Sequence, residues 1–112
     1  MSALAVVLVA STSLHITVWP HGQGHPDARS YTLHCAPAGG TLPRPAAACA
    51  RLARFAHPFA ATPRNAVCTQ IYGGPQQARV TGRFRGRVVR AHFSRANGCE
   101  IARWDRLRLL FP

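Results

Sequence analysis

Ala78-Arg-Val-Thr-Gly-Arg-Phe84, Arg85-Gly86 and Arg87-Val-Val-Arg-Ala-His-Phe-Ser94 form the stretch that decides the fold. Two runs rich in β-branched and aromatic residues flank a two-residue turn ending in glycine, the pattern of an antiparallel β-hairpin. In the second run Val89, Ala91 and Phe93 share one face, so the hairpin has a buried side and a wet side. A hairpin of this kind is marginal alone and needs further strands or a covering helix.

Both are available upstream. Ser13-Leu-His-Ile-Thr-Val-Trp19 alternates, with Leu14, Ile16 and Val18 on one face, and Pro20 stops it. Arg29-Ser-Tyr-Thr-Leu-His-Cys35 alternates through Tyr31, Leu33 and Cys35, after a turn-rich connection that allows an antiparallel return. The glycines and prolines from Ala36 to Pro45 exclude regular structure there. Ala46 to Ala56 is alanine-rich and reads as a helix whose Cys49, Leu52, Ala53 and Ala56 lie on one face. Downstream, Glu100 to Arg106 reads as a short helix and Leu107 to Phe111 as a closing strand. The expected architecture is therefore α+β: a five-stranded antiparallel sheet packed by one longer and one short helix.

At 112 residues the chain has room for one domain and one modest core. Ser2 to Ser11 is almost wholly apolar and too short to span a bilayer. Residues 1–12 are read as the remnant of a secretory signal, and 13–112 as a single domain. No membrane span is expected. The four cysteines, Cys35, Cys49, Cys68 and Cys99, suit two disulfides in an exported protein, with three connectivities open. Their spacing contains no Cys-x-x-Cys knuckle, so no structural metal is expected.

Catalytic parts are scarce. Asp27, Glu100 and Asp105 are the only acids and are remote in sequence, which disfavours paired-carboxylate chemistry. His21 and His25 have metal-like spacing, but the glycines between them deny a helix, leaving a solvated loop. Ser94 and His92 lack a nucleophile elbow and an orienting acid. No cofactor is implied. All fourteen basic residues are arginine, giving a formal charge of +11. That charge suits a GC-rich coding bias, and it also supports an alternative in which the protein binds nucleic acid or an anionic surface.

Cys68-Thr-Gln-Ile-Tyr-Gly-Gly-Pro75 offers a different kind of function. A cysteine fixes one end, Gly-Gly-Pro turns the other, and the residues between favour extended backbone. A peptide held in this way has already lost the entropy that a free substrate loses on entering a protease cleft.

The series Tyr31-Thr-Leu-His-Cys35-Ala-Pro, Pro45-Ala-Ala-Ala-Cys49-Ala-Arg-Leu, Val67-Cys-Thr-Gln-Ile-Tyr72, Val80-Thr-Gly-Arg-Phe-Arg-Gly-Arg87 and Phe93-Ser-Arg-Ala-Asn-Gly-Cys-Glu100 resembles the Streptomyces subtilisin inhibitor-like family. The resemblance covers nearly all the chain from Leu14 to Phe111 and implies a secreted, homodimeric inhibitor of subtilisin-like serine proteases. It implies pairing of Cys35 with Cys49 and of Cys68 with Cys99. It places the reactive bond between Gln70 and Ile71, with Val67, Cys68, Thr69 and Tyr72 as protease-contacting residues and Asn97 as a brace of the loop. Gln70 is uncharged, so a trypsin-like pocket with its buried carboxylate is a poor match and a broad subtilisin pocket a better one. The Gly73-Gly74 pair predicts a flexible leaving side. A protein of the same fold that binds without inhibiting is the other alternative.

Overall fold

The computed structural model describes residues 11–112. The apolar run assigned to a leader falls mainly on residues 1–10, outside the described residues. Strands β1 (Thr12–Trp19), β2 (Arg29–Cys35), β3 (Gln77–Phe84) and β4 (Arg87–Ser94) form one antiparallel sheet in the order β2-β1-β3-β4. The hairpin that sets this arrangement closes with Phe84 opposite Arg87, and the two turn residues both have positive φ, 51° at Arg85 and 80° at Gly86. This turn twists in the same sense as the strands it joins. It is tied to the start of β1, because Gly86 N–H donates to the Ser11 carbonyl at 2.9 Å and Arg85 N–H to Thr12 Oγ1 at 3.1 Å.

Register places the alternating apolar residues together. Ile16 lies between Tyr31 on β2 and Val80 on β3, and Val80 faces Ala91 on β4. Leu14, Ile16, Val18, Leu33, Ala78, Val80, Val89, Ala91 and Phe93 are all buried on this face. Two helices, α1 (Pro45–Leu52) and α2 (Gly98–Arg106), cover it from β2 and β4 respectively. Helices segregated to one face of an antiparallel sheet are the α+β solution to burying an apolar sheet face.

The sheet has four strands, not five. The expected strand from Leu107 to Phe111 is instead the continuation of α2 into a single 3-10 turn at Arg108–Leu110. The buried residues there are Trp104, Leu107, Leu110 and Phe111. Their offsets of three, six and seven follow a helical period, whereas a strand would bury alternate positions. Phe111 packs its ring 5.0 Å from Phe93 and 4.6 Å from Trp104, so this segment plugs the core rather than extending the sheet.

Helix α1 is also shorter than expected, ending at Leu52 rather than Ala56. Arg54 and Phe55 N–H bond three residues back, to Arg51 and Leu52, which tightens the chain ahead of His57-Pro58. The face turned to the core is Ala48 and Leu52 with Cys49 half-buried beside them, while Ala53 and Ala56 are exposed. Pro45 supplies the first helical turn, where a missing N–H costs nothing. Cys49 pairs with Cys35 at a Cα separation of 5.8 Å, stitching α1 to the edge strand β2.

Phe111→Ala is expected to lower unfolding stability by about 3 kcal/mol, the cost of a buried aromatic truncation. Arg108→Ala, on the exposed side of the same turn, should leave it within about 0.5 kcal/mol. Urea denaturation of both variants checks this, and equal effects would contradict the helical burial pattern.

Candidate functional site

Between α1 and β3 the chain runs from Phe59 to Gln76 without helix or strand, and residues 66–74 carry three exposed large apolar side chains. Val67 is 99% exposed, Ile71 61% and Tyr72 68%, while Thr69 and Gln70 are also exposed. Apolar side chains held in water cost stability, so a fold that keeps three of them outward beside an anchored cysteine presents a surface for a partner.

The loop is held at two points on one short segment, Arg95–Gly98, which links β4 to α2. Gly98 N–H donates to the Thr69 carbonyl at 2.9 Å, next to the Cys68–Cys99 disulfide, whose Cα atoms are 5.3 Å apart. Gly73 N–H donates to the Arg95 carbonyl at 2.7 Å, and Arg95 Nε donates back to the Gly73 carbonyl at 3.2 Å. Five loop residues thus span the same distance as four residues of the supporting segment. The excess length makes Gln70, Ile71 and Tyr72 bow outward. No backbone hydrogen bond joins these three to the rest of the described residues, so their N–H and C=O groups are free to pair with another chain.

The support is itself anchored. Asn97 caps α2, its Oδ1 accepting from Glu100 N–H at 3.1 Å, and this fixes where the helix begins. Cys99 lies in that first turn, so the cap also positions the disulfide. Arg95 Nη1 donates to Asp105 Oδ1 at 2.8 Å, and its guanidinium carbon lies 6.0 Å from the centre of the Trp104 ring. Asp105 also accepts from Arg108 at 2.8 Å. These hydrogen bonds, from Arg108 first and Arg95 second, hold the Asp105 carboxyl below its ordinary pKa. On the approach to the loop, Thr62 Oγ1 donates to Glu100 Oε1 at 2.7 Å, and Arg103 bonds both Glu100 Oε2 at 2.8 Å and the Ala60 carbonyl at 3.0 Å.

Both glycines at the anchors are there for close approach. A Cβ on Gly98 would overlap the Thr69 hydroxyl, and one on Gly73 would lie 2.8 Å from Ile101 Cδ1. The expected looseness of Gly73-Gly74 is therefore not found at Gly73, which is pinned at both its N–H and its C=O. Gly74, at a φ of 123°, makes the turn that a side chain would disfavour.

The structure brings Val67, Cys68, Thr69, Gln70, Ile71 and Tyr72 into one projecting loop and puts Asn97 beneath it. Sequence reasoning missed Arg95, Glu100, Arg103 and Thr62. The Asn97-x-x-Glu100 spacing is a helix-start signal that could have placed α2 two residues earlier than expected. Arg95 has no local signal at all. Elsewhere, His21 pairs through Nδ1 with Asp27, and the His25 ring lies 6.3 Å away in the connection between β1 and β2. No helix of the described residues is long and apolar enough to cross a membrane.

Two expectations follow. Replacing Cys68 and Cys99 by serine should lower stability by about 3 to 4 kcal/mol on loop-closure entropy, read by thermal unfolding, and should make the loop the first site of proteolysis. Asp105 has a depressed folded pKa, so its contribution is complete above the ordinary carboxylate value of about 3.9 and is lost as pH falls through and below it. Acid titration should show wild type and Asp105→Asn differing in stability at pH 6 and converging as pH falls below that range.

Comparison with known proteins gives the same frame. The model of the subtilisin inhibitor-like family matches residues 10–97. Among solved structures, Streptomyces caespitosus sermetstatin in complex with Bacillus licheniformis subtilisin is similar at 30% identity and a TM-score of 0.53, covering 89% of this chain and 94% of sermetstatin. The search of curated proteins finds no match. With the family pattern spanning most of the chain, and the fold and the two disulfides arranged around a projecting loop, this protein belongs to the subtilisin inhibitor-like family.

Proposed function

We propose that this chain is a secreted inhibitor of subtilisin-like serine proteases, acting through Gln70–Ile71 as a substrate-like reactive bond. The observation that carries the reading is the tethering of the loop on both sides of that bond, by Cys68–Cys99 and Thr69–Gly98 before it and by Gly73–Arg95 after it. Membership of the family and the likeness to an inhibitor bound to subtilisin support it.

The chemistry follows from the geometry. Gln70, Ile71 and Tyr72 enter a protease cleft as an added strand, using backbone groups that have no internal partner. Gln70 fills the primary pocket, Val67, Cys68 and Thr69 contact the amino side of the cleft, and Ile71 and Tyr72 contact the leaving side. The protease's serine attacks the Gln70 carbonyl, whose oxygen is drawn into the oxyanion hole. If the bond opens, the new amine at Ile71 stays in place because Gly73 remains held. It is then positioned to attack the acyl-enzyme and restore the peptide. A free substrate would instead lose its leaving strand to solvent. Asn97 braces the loop through the start of α2, which sets the positions of Gly98 and Cys99. The mechanism needs no cofactor.

Two disulfides suit an oxidising, extracellular setting, in keeping with the leader read in the sequence. A homodimer, implied by the family resemblance, completes the reading, and light scattering of the purified protein tests it.

Titration against subtilisin should give stoichiometric, lasting loss of activity, with little against trypsin. Gln70→Arg should extend inhibition to trypsin by supplying the cation its pocket carboxylate pairs with. Arg95→Ala should weaken subtilisin inhibition by about tenfold or more and speed cleavage at Gln70–Ile71, because one charge-assisted anchor of the leaving side is gone. Rapid, complete cleavage of the wild type without lasting inhibition would refute the proposal and leave a binding module of the same fold.

A further inference from the structure

At the end of the sheet farthest from the loop, the β3–β4 hairpin and the segment leading out of α1 border a cavity of about 490 Å³. Its walls are apolar. The turn His57–Ala60, closed by Ala60 N–H donating to the His57 carbonyl at 3.3 Å, carries Pro58 and Phe59 across to the hairpin. The Phe59 ring meets the Phe84 ring edge-on, with centroids 5.4 Å apart and planes at 82°, and buried Pro58 and Val89 complete the lining. Val89 belongs to the buried face of the sheet, so the cavity lies on the side that carries α1 and α2.

The rim is cationic. Arg85 and Arg87 both line the cavity and both are exposed, and no acidic side chain among the described residues joins them. The three acidic side chains are engaged elsewhere: Asp27 with His21, Glu100 with Arg103, and Asp105 with Arg95 and Arg108. Water gains little against the rings of this space, and an anion beside the guanidiniums supplies the counter-charge that no side chain gives them.

Arg85 holds its place against the preference of the backbone. It stands first in the two-residue turn at a φ of 51°, a conformation that glycine and asparagine adopt readily and other residues resist. Turn geometry alone therefore does not account for an arginine. Its side chain does: the guanidinium carbon lies 4.5 Å from the centre of the Phe84 ring, and Nη1 donates to the Phe55 carbonyl at 3.3 Å. These contacts lay the cation over the edge of the cavity and leave most of its N–H donors free. A disfavoured backbone retained together with a cation fixed at a cavity mouth marks a functional position.

We propose that the cavity binds a small amphiphilic carboxylate, its apolar body against Pro58, Phe59, Phe84 and Val89 and its head on Arg85 and Arg87. The volume lies within the ordinary range for small-molecule sites, in which apolar walls hold the ligand and a few polar groups orient it. A neutral amphiphile would leave both guanidiniums without a counter-charge, and an amine would meet repulsion. Eight-residue strands put about 25 Å between this site and the projecting loop, so the ligand and a protease can be bound together.

The test is isothermal titration calorimetry of the full chain with octanoate, beside octanol, octylamine and butanoate, at about 0.15 M salt to screen unspecific attraction. Octanoate is expected to bind once per chain with a Kd of about 0.1 mM, an ordinary efficiency for a ligand of so few atoms. Butanoate should bind at least about tenfold more weakly because it buries fewer methylenes, and octanol about tenfold more weakly because it lacks the charge. Octylamine should not bind. Amide shifts in NMR spectra should change at Phe59, Phe84 and Val89. Arg85→Asn should weaken octanoate binding about tenfold while the thermal midpoint holds or rises, since a favoured turn residue replaces a disfavoured one. Arg29→Gln with Arg64→Gln, two exposed cations toward the loop, should stay within about twofold. Equal binding of octanoate and octylamine, equal losses in the two sets of variants, unchanged affinity in Arg85→Asn, shifts confined to other residues, or no binding of octanoate would each overturn the proposal.

Discussion

Where α2 begins controls the geometry of the projecting loop. Asn97 closes the helix start with its side chain, and the next two residues meet the loop directly, Gly98 by a backbone hydrogen bond and Cys99 by the disulfide. A helix starting even one residue later would rotate Cys99 by about 100° around the axis, away from Cys68. A cap of modest energy, on the order of 1 kcal/mol, thereby sets the register of a covalent anchor. The disulfide limits how far the loop can move, and the cap decides which direction it points.

The core serves this arrangement from below. Phe111 packs against both Phe93 of β4 and Trp104 of α2, joining the helix to the strand through one ring. The same helix carries Asp105, which grips Arg95, and Glu100, which grips Thr62 and Arg103. Two of the three carboxylates in the chain are thus spent under one loop. In so basic a protein this is where acids do most, since each supplies the only local charge able to hold an arginine in a single direction.

Local pattern carried much of the fold. The hairpin, the alternating apolar face of β1 and the inward face of β4 were legible because each depends on period and turn chemistry within a few residues. Leu107 to Phe111 misled because a short apolar run has no decisive period on its own, and only the neighbouring Trp104 reveals the helical spacing. The inward face of α1 misled for a related reason: small alanines satisfy several faces equally well, and Leu52 together with the bridge to Cys35 chooses among them. For the site, the loop and its cysteine were readable. Its second anchor was not, because Arg95 reaches Gly73 across 22 residues and Asp105 across 10, and no local rule marks such a residue.

The two ends of the described chain emerge at opposite ends of the sheet. Ser11 lies beside the Arg85–Gly86 turn, whereas the loop sits past the other end, where Gln77 pairs with Ser94. Eight-residue strands put about 25 Å between those ends. Pro112, by contrast, borders the same surface depression as Gly73 and Arg95. An attachment made at the amino-terminal side therefore orients the loop away from whatever it is fixed to, while one made at the carboxyl terminus crowds the base of the loop, which gives immobilisation, fusion and display of this inhibitor a preferred polarity.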